Sequence, residues 1–404
     1  MSTSLLYHGF GVVGYDYVRT RYEGRNITFT IRHKRGKLRC PVCRGRKIVM
    51  RGTTRRRFRT FPMGSKVIFF DLEVQRIACL RCGSIRQVSL GFADPRLSYT
   101  HAFERYALEL SKHMTIQDVA RHLSVSWDVI KEMQKRDLTR RFSKPCLKDL
   151  QMIAIDEISV RKGHRYLTIV MDMISGAVIF VGDGKGSDAL DPFWKKVKRA
   201  KAKIEAVAMD MSPAYISAVS FHLPKAAIVF DHFHVIKLFN DKLSELRRDL
   251  YHEAKDRLQK KVLKGTRWLL LKNPENLDTS KGERERLADA LHLNQPLSCA
   301  YYLKEDLRQI WLQPDKDRAK LVLADWIKRA ETSGIKMLIK FAKTLAAFRS
   351  GILSYYDYRI SSAPLEGTNN KIKTMKRMAY GFRDLEFFKL KIMAIHESKY
   401  ALVG

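Results

Sequence analysis

Acid is what this chain has little of. Against 76 lysines and arginines it carries 42 aspartates and glutamates, a formal net charge of +34 with a pI of about 10.0. So one-sided a balance argues against an ordinary small-molecule enzyme and for a polyanionic partner. Long apolar runs are missing as well. None approaches the roughly 20 residues that span a bilayer, so a membrane is not the polyanion expected. The opening stretch Met1-Ser-Thr-Ser-Leu-Leu-Tyr-His8 has no basic segment before its apolar residues, and no secretory signal is expected there. Cysteine is scarce, six in 404 residues, which excludes a disulfide framework. These absences together fit a bacterial or archaeal cytosol. No G-x-G-x-x-G follows the first strand of the central region, which disfavours a dinucleotide-binding fold, and no Walker A loop occurs, which disfavours ATP use. Nothing marks the protein nucleophile that a serine or tyrosine recombinase would need.

What is present is a hydrophobic content of 45%, enough for two or three domains with real cores. The positive charge gathers at the start, where residues 1–100 hold 21 Lys/Arg and 5 Asp/Glu. Within this basic segment stand Cys40-Pro-Val-Cys43 and Cys79-Leu-Arg-Cys82. Each C-x-x-C knuckle presents two thiolates, and two knuckles complete a tetrahedral Zn²⁺ site. Redox pairs or four buried cysteines are the plainer readings. The 35 residues between the knuckles, 44–78, exceed the common finger spacing, so they are expected to carry a hairpin of their own. Residues 1–92 otherwise read as short strands and turns. The isolated Cys146 and Cys299 read as core residues. Arg55, Arg56, Arg57 and Arg59 lie in the basic run 51–59 and are expected to meet DNA phosphates, giving affinity without base specificity.

Residues 98–141 read as helical. Ile116, Val119, Ala120 and Leu123 share one face of a short helix, Ser124-Val-Ser126 makes a turn, and 127–135 forms a second helix. That is the pattern of a helix-turn-helix, with an ordinary helical pair as the plain alternative. Trp127, Asp128, Lys131 and Lys135 are its candidate DNA-facing positions.

Residues 150–235 alternate strand and helix. Strands are expected near 151–158, 165–173, 176–182, 204–210 and 226–231, helices near 187–199 and 213–222, and turns at Gly163 and Ser175-Gly176. Three meandering strands followed by helix-linked parallel strands is the RNase H-like order. Asp156 sits in the apolar run Met152-Ile-Ala-Ile155, where a buried carboxylate is costly unless paired or bound to metal. Asp210 ends the run Ala206-Val-Ala-Met209, and Glu366 opens a helical stretch at Pro364. Three carboxylates from two strands and a helix suit two hard cations, Mg²⁺ or Mn²⁺, for phosphoryl transfer. Asp172 and Asp231 also end or interrupt apolar strands. Asp231 should lie one strand further out, roughly 5 Å away, with His232 and His234 structural. Along the last helix Glu366, Asn370, Lys373 and Arg377 share a stripe suited to a DNA backbone. A long amphipathic helix is expected over 239–262, within an all-helical segment.

The strings Asp156-Glu157, Val207-Ala-Met-Asp-Met211, Val229-Phe-Asp-His-Phe-His-Val235, Leu365-Glu-Gly-Thr-Asn369 and Met378-Ala-Tyr-Gly381 resemble those of the bacterial insertion-sequence DDE transposases, in particular the ISL-three branch with its zinc-binding N-terminus. The resemblance covers nearly the whole chain. It implies a multidomain α/β protein: a zinc-binding, DNA-contacting β domain over 1–92 and a helix-turn-helix over 93–145. An RNase H-like catalytic domain over 146–235 and 351–404 would then be interrupted by a helical insertion over 236–350. It further implies Asp156, Asp210 and Glu366 as catalytic metal ligands. The partners implied are double-stranded DNA, both terminal inverted repeats and target, and a homodimer or higher oligomer on that DNA. A zinc and helix-turn-helix regulator without catalysis and a structure-selective RNase H-like nuclease are the rival classes.

Overall fold

A computed structural model describes residues 5–161 and 165–396, in two compact units, 1–137 and 138–404. The expected turn at Gly163 lies outside the described residues.

The first unit is built on a five-stranded sheet of β1 (Tyr15–Glu23), β2 (Asn26–His33), β3 (Ile48–Met63), β4 (Lys66–Cys79) and β5 (Ile85–Gln87). Its order is β1-β2-β4-β3, with β5 also pairing β4. The segment between the cysteine knuckles does form a hairpin, but its strands are 16 and 14 residues long, not short. The length follows from β4, where Ile68, Phe70, Leu72 and Val74 alternate into the core and extend the ladder. Asp71, the polar exception, is buried directly across from Arg57. Arg55 Nη2 reaches its carboxylate at 2.6 Å and Arg57 Nε at 2.9 Å. Burial pushes the Asp71 carboxyl up, but the hydrogen bonds from Arg57 and Arg55 outweigh it, and the net is a lowered pKa. The ion pairs therefore stabilise the unit at neutral pH, and that contribution fades as pH falls through the depressed value. Asp71→Ala should cost about 2 kcal/mol at pH 7. Denaturant titration should show the gap between wild type and variant narrowing in acid.

Past the sheet come helices His101–Leu110, Ile116–Leu123 and Trp127–Phe142. Thr115 caps the second helix by accepting from the Asp118 amide, and Ser124 ends it in the left-handed conformation at φ 52°. Val119, Ala120 and Leu123 pack with Ile130, Met133 and Phe103 into one core, as the sequence pattern requires.

The second unit holds the sheet β10-β9-β6-β7-β8, made of β6 (Met152–Arg161), β7 (Arg165–Asp172), β8 (Val178–Asp183), β9 (Ala206–Met209) and β10 (Ala227–Phe230). The first three are antiparallel neighbours, β9 runs parallel to β6, and β10 runs parallel to β9. This is the RNase H-like order. Helix Asp191–Ala200 leads into β9, and helix Pro213–His222 joins β9 to β10.

From His232 onward the described chain forms helices and the turns between them. The segment has its own core around Phe239, Leu243, Leu297, Leu307, Leu323 and Trp326. The single long helix expected over 239–262 is two. Helix His232–Glu253 ends at an extended Ala254, and Asp256 caps a second helix, Arg257–Lys264. The apolar period continues across this break, yet Leu258 is exposed, so the period overstated the helix. Cys146 is exposed, not a core residue, and Cys299 is partly buried. No helix of the described residues is long and apolar enough to cross a membrane.

Candidate active site

Parallel pairing sets the height of each carboxylate. β6 and β9 pair as Met152↔Ala206, Ile153↔Val207 and Ala154↔Ala208. Two residues further along each chain are Asp156, still within β6, and Asp210, one residue past the end of β9. β9 and β10 pair through Met209↔Phe230, and one step on come Asp210 and Asp231, the Asp231 amide donating to the Met209 carbonyl at 3.2 Å. Asp156 thus lies within β6, while Asp210 and Asp231 follow directly on the ends of β9 and β10, the two strands to one side of it. Asp172 pairs at the far end, opposite Ile153. It accepts from the Ile174 and Ser175 amides and closes the hairpin turn, a structural task.

The three differ in what surrounds them. Asp156 Oδ1 accepts from the Glu157 amide at 2.7 Å, and Oδ2 accepts from Asn369 Nδ2 at 2.7 Å. Both donors are neutral, and neither cancels the charge. Burial raises its pKa, and the carboxylates of Asp210 and Asp231 raise it further, against the Glu157 amide and His234. Glu157, on the other side of the strand, is also raised, by burial and then by Asp210. Asp210 accepts from the Ser212 amide at 3.1 Å. Asp231 is buried and caps helix His232–Glu253, accepting from Phe233 N at 3.2 Å, and its other oxygen takes the Ser362 hydroxyl. Burial pushes it up, but the hydrogen bonds from His232, Ser362 and the Phe233 amide prevail and keep it ionised. Asp231 is therefore spent on holding structure, while Asp156 and Asp210 keep lone pairs to offer.

The helix that faces them is Ala363–Met378, with Pro364 in its first turn. Leu365, Thr368, Asn369 and Ile372 are its buried residues, and Lys376 Nζ donates to the Val160 carbonyl at 3.1 Å. Ahead of it, helix Arg349–Leu353 packs on β10 so closely that a Cβ at Gly351 would lie 2.4 Å from the Phe230 ring. Glu366, Asn370, Lys373 and Arg377 form the exposed stripe expected of them. Glu366 stands one turn before Asn369, their Cβ atoms about 5–6 Å apart. The structure thus sets Asp210 near enough to Asp156 to raise it, brings Asn369 to Asp156, and leaves Glu366 exposed on the turn before Asn369, so Asp156, Asp210 and Glu366 are not gathered into one metal-sized cluster. Nothing in the sequence marks Asn369 as a site residue, because its partner Asp156 lies 213 positions away.

Divalent cations of the hard class fit this donor set. It is all oxygen, the hydrogen-bond donors to Asp156 and Asp210 are neutral, and the buried Asn369 Oδ1 has no hydrogen-bond partner. Among the described residues, the one group of three or more metal-ligating side chains with ligand atoms all within 4.8 Å of one another is Cys40, Cys43, Cys79 and Cys82. Cys40 and Cys82 sulfurs lie 3.7 Å apart, Cys43 and Cys79 3.5 Å apart. A tetrahedron with metal–sulfur bonds near 2.3 Å has edges of about 3.8 Å, so this tetrad could hold zinc. Each knuckle turns through a left-handed residue, Arg44 at φ 56° and Gly83 at φ 68°.

A family model described as "Transposase" matches residues 153–392, which contain this whole site, and one described as "Helix-turn-helix domain of transposase family ISL3" matches residues 88–137. The chain belongs to transposase family ISL3. It is a DNA transposase with a helix-turn-helix DNA-binding domain. It is 32% identical over 390 residues to the transposase of insertion sequence element IS1001 from Bordetella parapertussis, covering 95% of this chain and 96% of that one. It is 27% identical to the transposase of IS1557 from Mycobacterium tuberculosis, covering 89% and 86%. A likeness to a chain of the Drosophila P element transposase strand transfer complex, at 12% identity and TM-score 0.40 over 74% of this chain and 92% of that one, is too slight to carry an argument.

The DNA-facing candidates divide. Trp127 and Asp128 are exposed at the start of the second helix of the helix-turn-helix. Lys131 is half-buried, 3.1 Å from Glu132 and 5.9 Å from the Trp127 ring, and Lys135 is half-buried. Arg55 and Arg57 keep an exposed side while bound to Asp71, and Arg56 donates to the Leu97 carbonyl at 2.7 Å. Arg59 is a correction. It is buried, donates to the Leu123 carbonyl at 3.1 Å and lies against the Phe69 and Phe103 rings, so it packs the unit instead of meeting phosphate. β3 turns into the core from Phe58 onward, and the even run of arginines hides that change.

Proposed function

We propose that this transposase binds the terminal inverted repeats of its element and cuts and rejoins DNA through Asp156, Asp210 and Glu366, holding two Mg²⁺ or Mn²⁺ ions. The observation that supports it is Asp156 on β6 with Asp210 at the end of the parallel neighbour β9, the burial and the nearby Asp210 charge that raise Asp156, and its two neutral donors. When bound, such ions supply charge stabilisation to the attacking and leaving oxygens of an in-line displacement. Asp156, on the central strand β6, is the residue we assign to serve both ions. Glu366, exposed one turn before Asn369, would turn toward them when the ions bind. Asn370, Lys373 and Arg377 lie along the exposed side of that helix, where a cation stripe would position the DNA backbone.

In this reading residues 1–92 and 93–145 bind DNA, with zinc on the four cysteines, and 236–350 is an insertion between the two parts of the catalytic domain, 146–235 and 351–404. The active species is a homodimer or higher oligomer on DNA, in a bacterial or archaeal cytoplasm at the nucleoid. Trp127, Asp128, Lys131 and Lys135 set base preference. Arg55, Arg56 and Arg57 add uniform affinity. Raising salt from 50 to 200 mM should weaken end-binding by on the order of a thousandfold. Titrating specific and random duplexes tests the division of labour. Lys131→Ala should change the ratio between them, Arg56→Ala should lower both alike, and the reverse pattern would exchange their roles.

A further inference from the structure

The sequence motifs leave Asn369 without a task, and the structure gives it a place. It is buried, on the inner face of helix Ala363–Met378, and its Nδ2 lies 2.7 Å from Asp156 Oδ2. The other Asp156 oxygen is held by the Glu157 amide. One carboxylate is thus gripped at both oxygens by two neutral donors from different elements. The amide can sit only one way round, because its oxygen turned toward Asp156 would set two acceptors against each other. That leaves Asn369 Oδ1 buried and unpartnered, a costly arrangement for a group whose sole task is packing.

We propose that Asn369 is the positioning residue of the active site: it fixes the rotamer of Asp156 and so presets the carboxylate that the metal ions share. The proposal rests on the reading of Asp156 as a metal ligand. Fixing a ligand in advance removes the ordering cost from metal binding, and partners of this outer kind change metal affinity or activity about 10–100-fold. A side effect is mechanical. The same bond ties the helix carrying Glu366 to β6, as Asp231 ties its start through Ser362.

The test uses the full-length protein with its zinc. Wild type, Asn369→Ala, Asn369→Gln and Asp156→Asn are compared in three measurements: thermal melting, binding of inverted-repeat duplex, and cleavage as a function of Mn²⁺ concentration. Asn369→Ala should melt and bind DNA much like wild type, yet need about 10–100-fold more Mn²⁺ for half-maximal cleavage, with part of the rate restored at high Mn²⁺. Asn369→Gln, which keeps the amide on a longer arm, should fall between. A purely structural Asn369 would lower melting temperature and DNA binding together and leave the Mn²⁺ midpoint in place, and that result overturns the proposal. So does a wild-type midpoint in a well-folded Asn369→Ala. If Asp156→Asn cleaves like wild type, the reading of Asp156 itself fails, an outcome separate from the other two.

Discussion

Stripping zinc, or replacing Cys40 by serine, is expected to unfold the first unit around its knuckles and abolish end-binding while the second unit stays folded. The four sulfurs are already gathered at tetrahedral spacing, at the end of β4 and in the turns beside it. Without a cation, that cluster is four sulfurs crowded together, with hydrogen bonds from the Val42 amide and Ser84 that cannot replace a metal's charge. Structural zinc is worth on the order of 10 kcal/mol in small domains, more than the whole stability of many of them. Metal analysis should find about one zinc per chain in wild type and none in Cys40→Ser. Circular dichroism and limited proteolysis should then show loss of the β unit alone. A zinc-free chain that still binds inverted-repeat duplex at full strength would contradict this.

Asp210→Asn is expected to abolish cleavage and strand transfer, a loss of a thousandfold or more, about 4 kcal/mol in barrier, with end-binding unchanged. Asp156→Asn and Glu366→Gln should do the same. Asparagine keeps the shape of aspartate, so the strands β6 and β9 stay paired; what disappears is the charge that draws a divalent cation. Asp231→Asn should behave differently. Its carboxylate is already taken up by Ser362, His232 and the amide of Phe233. Neutralising it should loosen the start of helix Ala363–Met378 and lower melting temperature along with activity. Cleavage, strand transfer, DNA binding and melting measured on the four variants separate the two classes. A cleavage-competent Asp210→Asn beside a dead but well-folded Asp231→Asn would shift the metal one strand outward.

Much of this was legible in the residues, and for identifiable reasons. Strands β9 and β10 are short apolar runs each followed by an aspartate, and β6 opens with an apolar run that leads into Asp156, a pattern that local burial dictates. Ser212-Pro213 announces the helix between β9 and β10. The two helices at 116–123 and 127–142 follow from one apolar face and a left-handed Ser124. What escaped is what depends on contacts far apart in the chain. Nothing near Asn369 signals that it meets Asp156, and nothing in the arginine run signals that Arg59 turns inward while Arg55 and Arg57 close on Asp71. The break at Ala254 escaped for a related reason: the apolar period runs on into Arg257–Lys264, while Leu258 finds no core there.

The most direct measurement is anomalous diffraction from Mn²⁺ in crystals of the full-length protein bound to an inverted-repeat duplex. The account predicts manganese peaks within about 2.2 Å of carboxylate oxygens of Asp156 and Asp210, with Glu366 turned inward beside them and Asn369 still hydrogen-bonded to Asp156. Manganese bound instead at Asp231, or nowhere along the ends of β6 and β9, would contradict it.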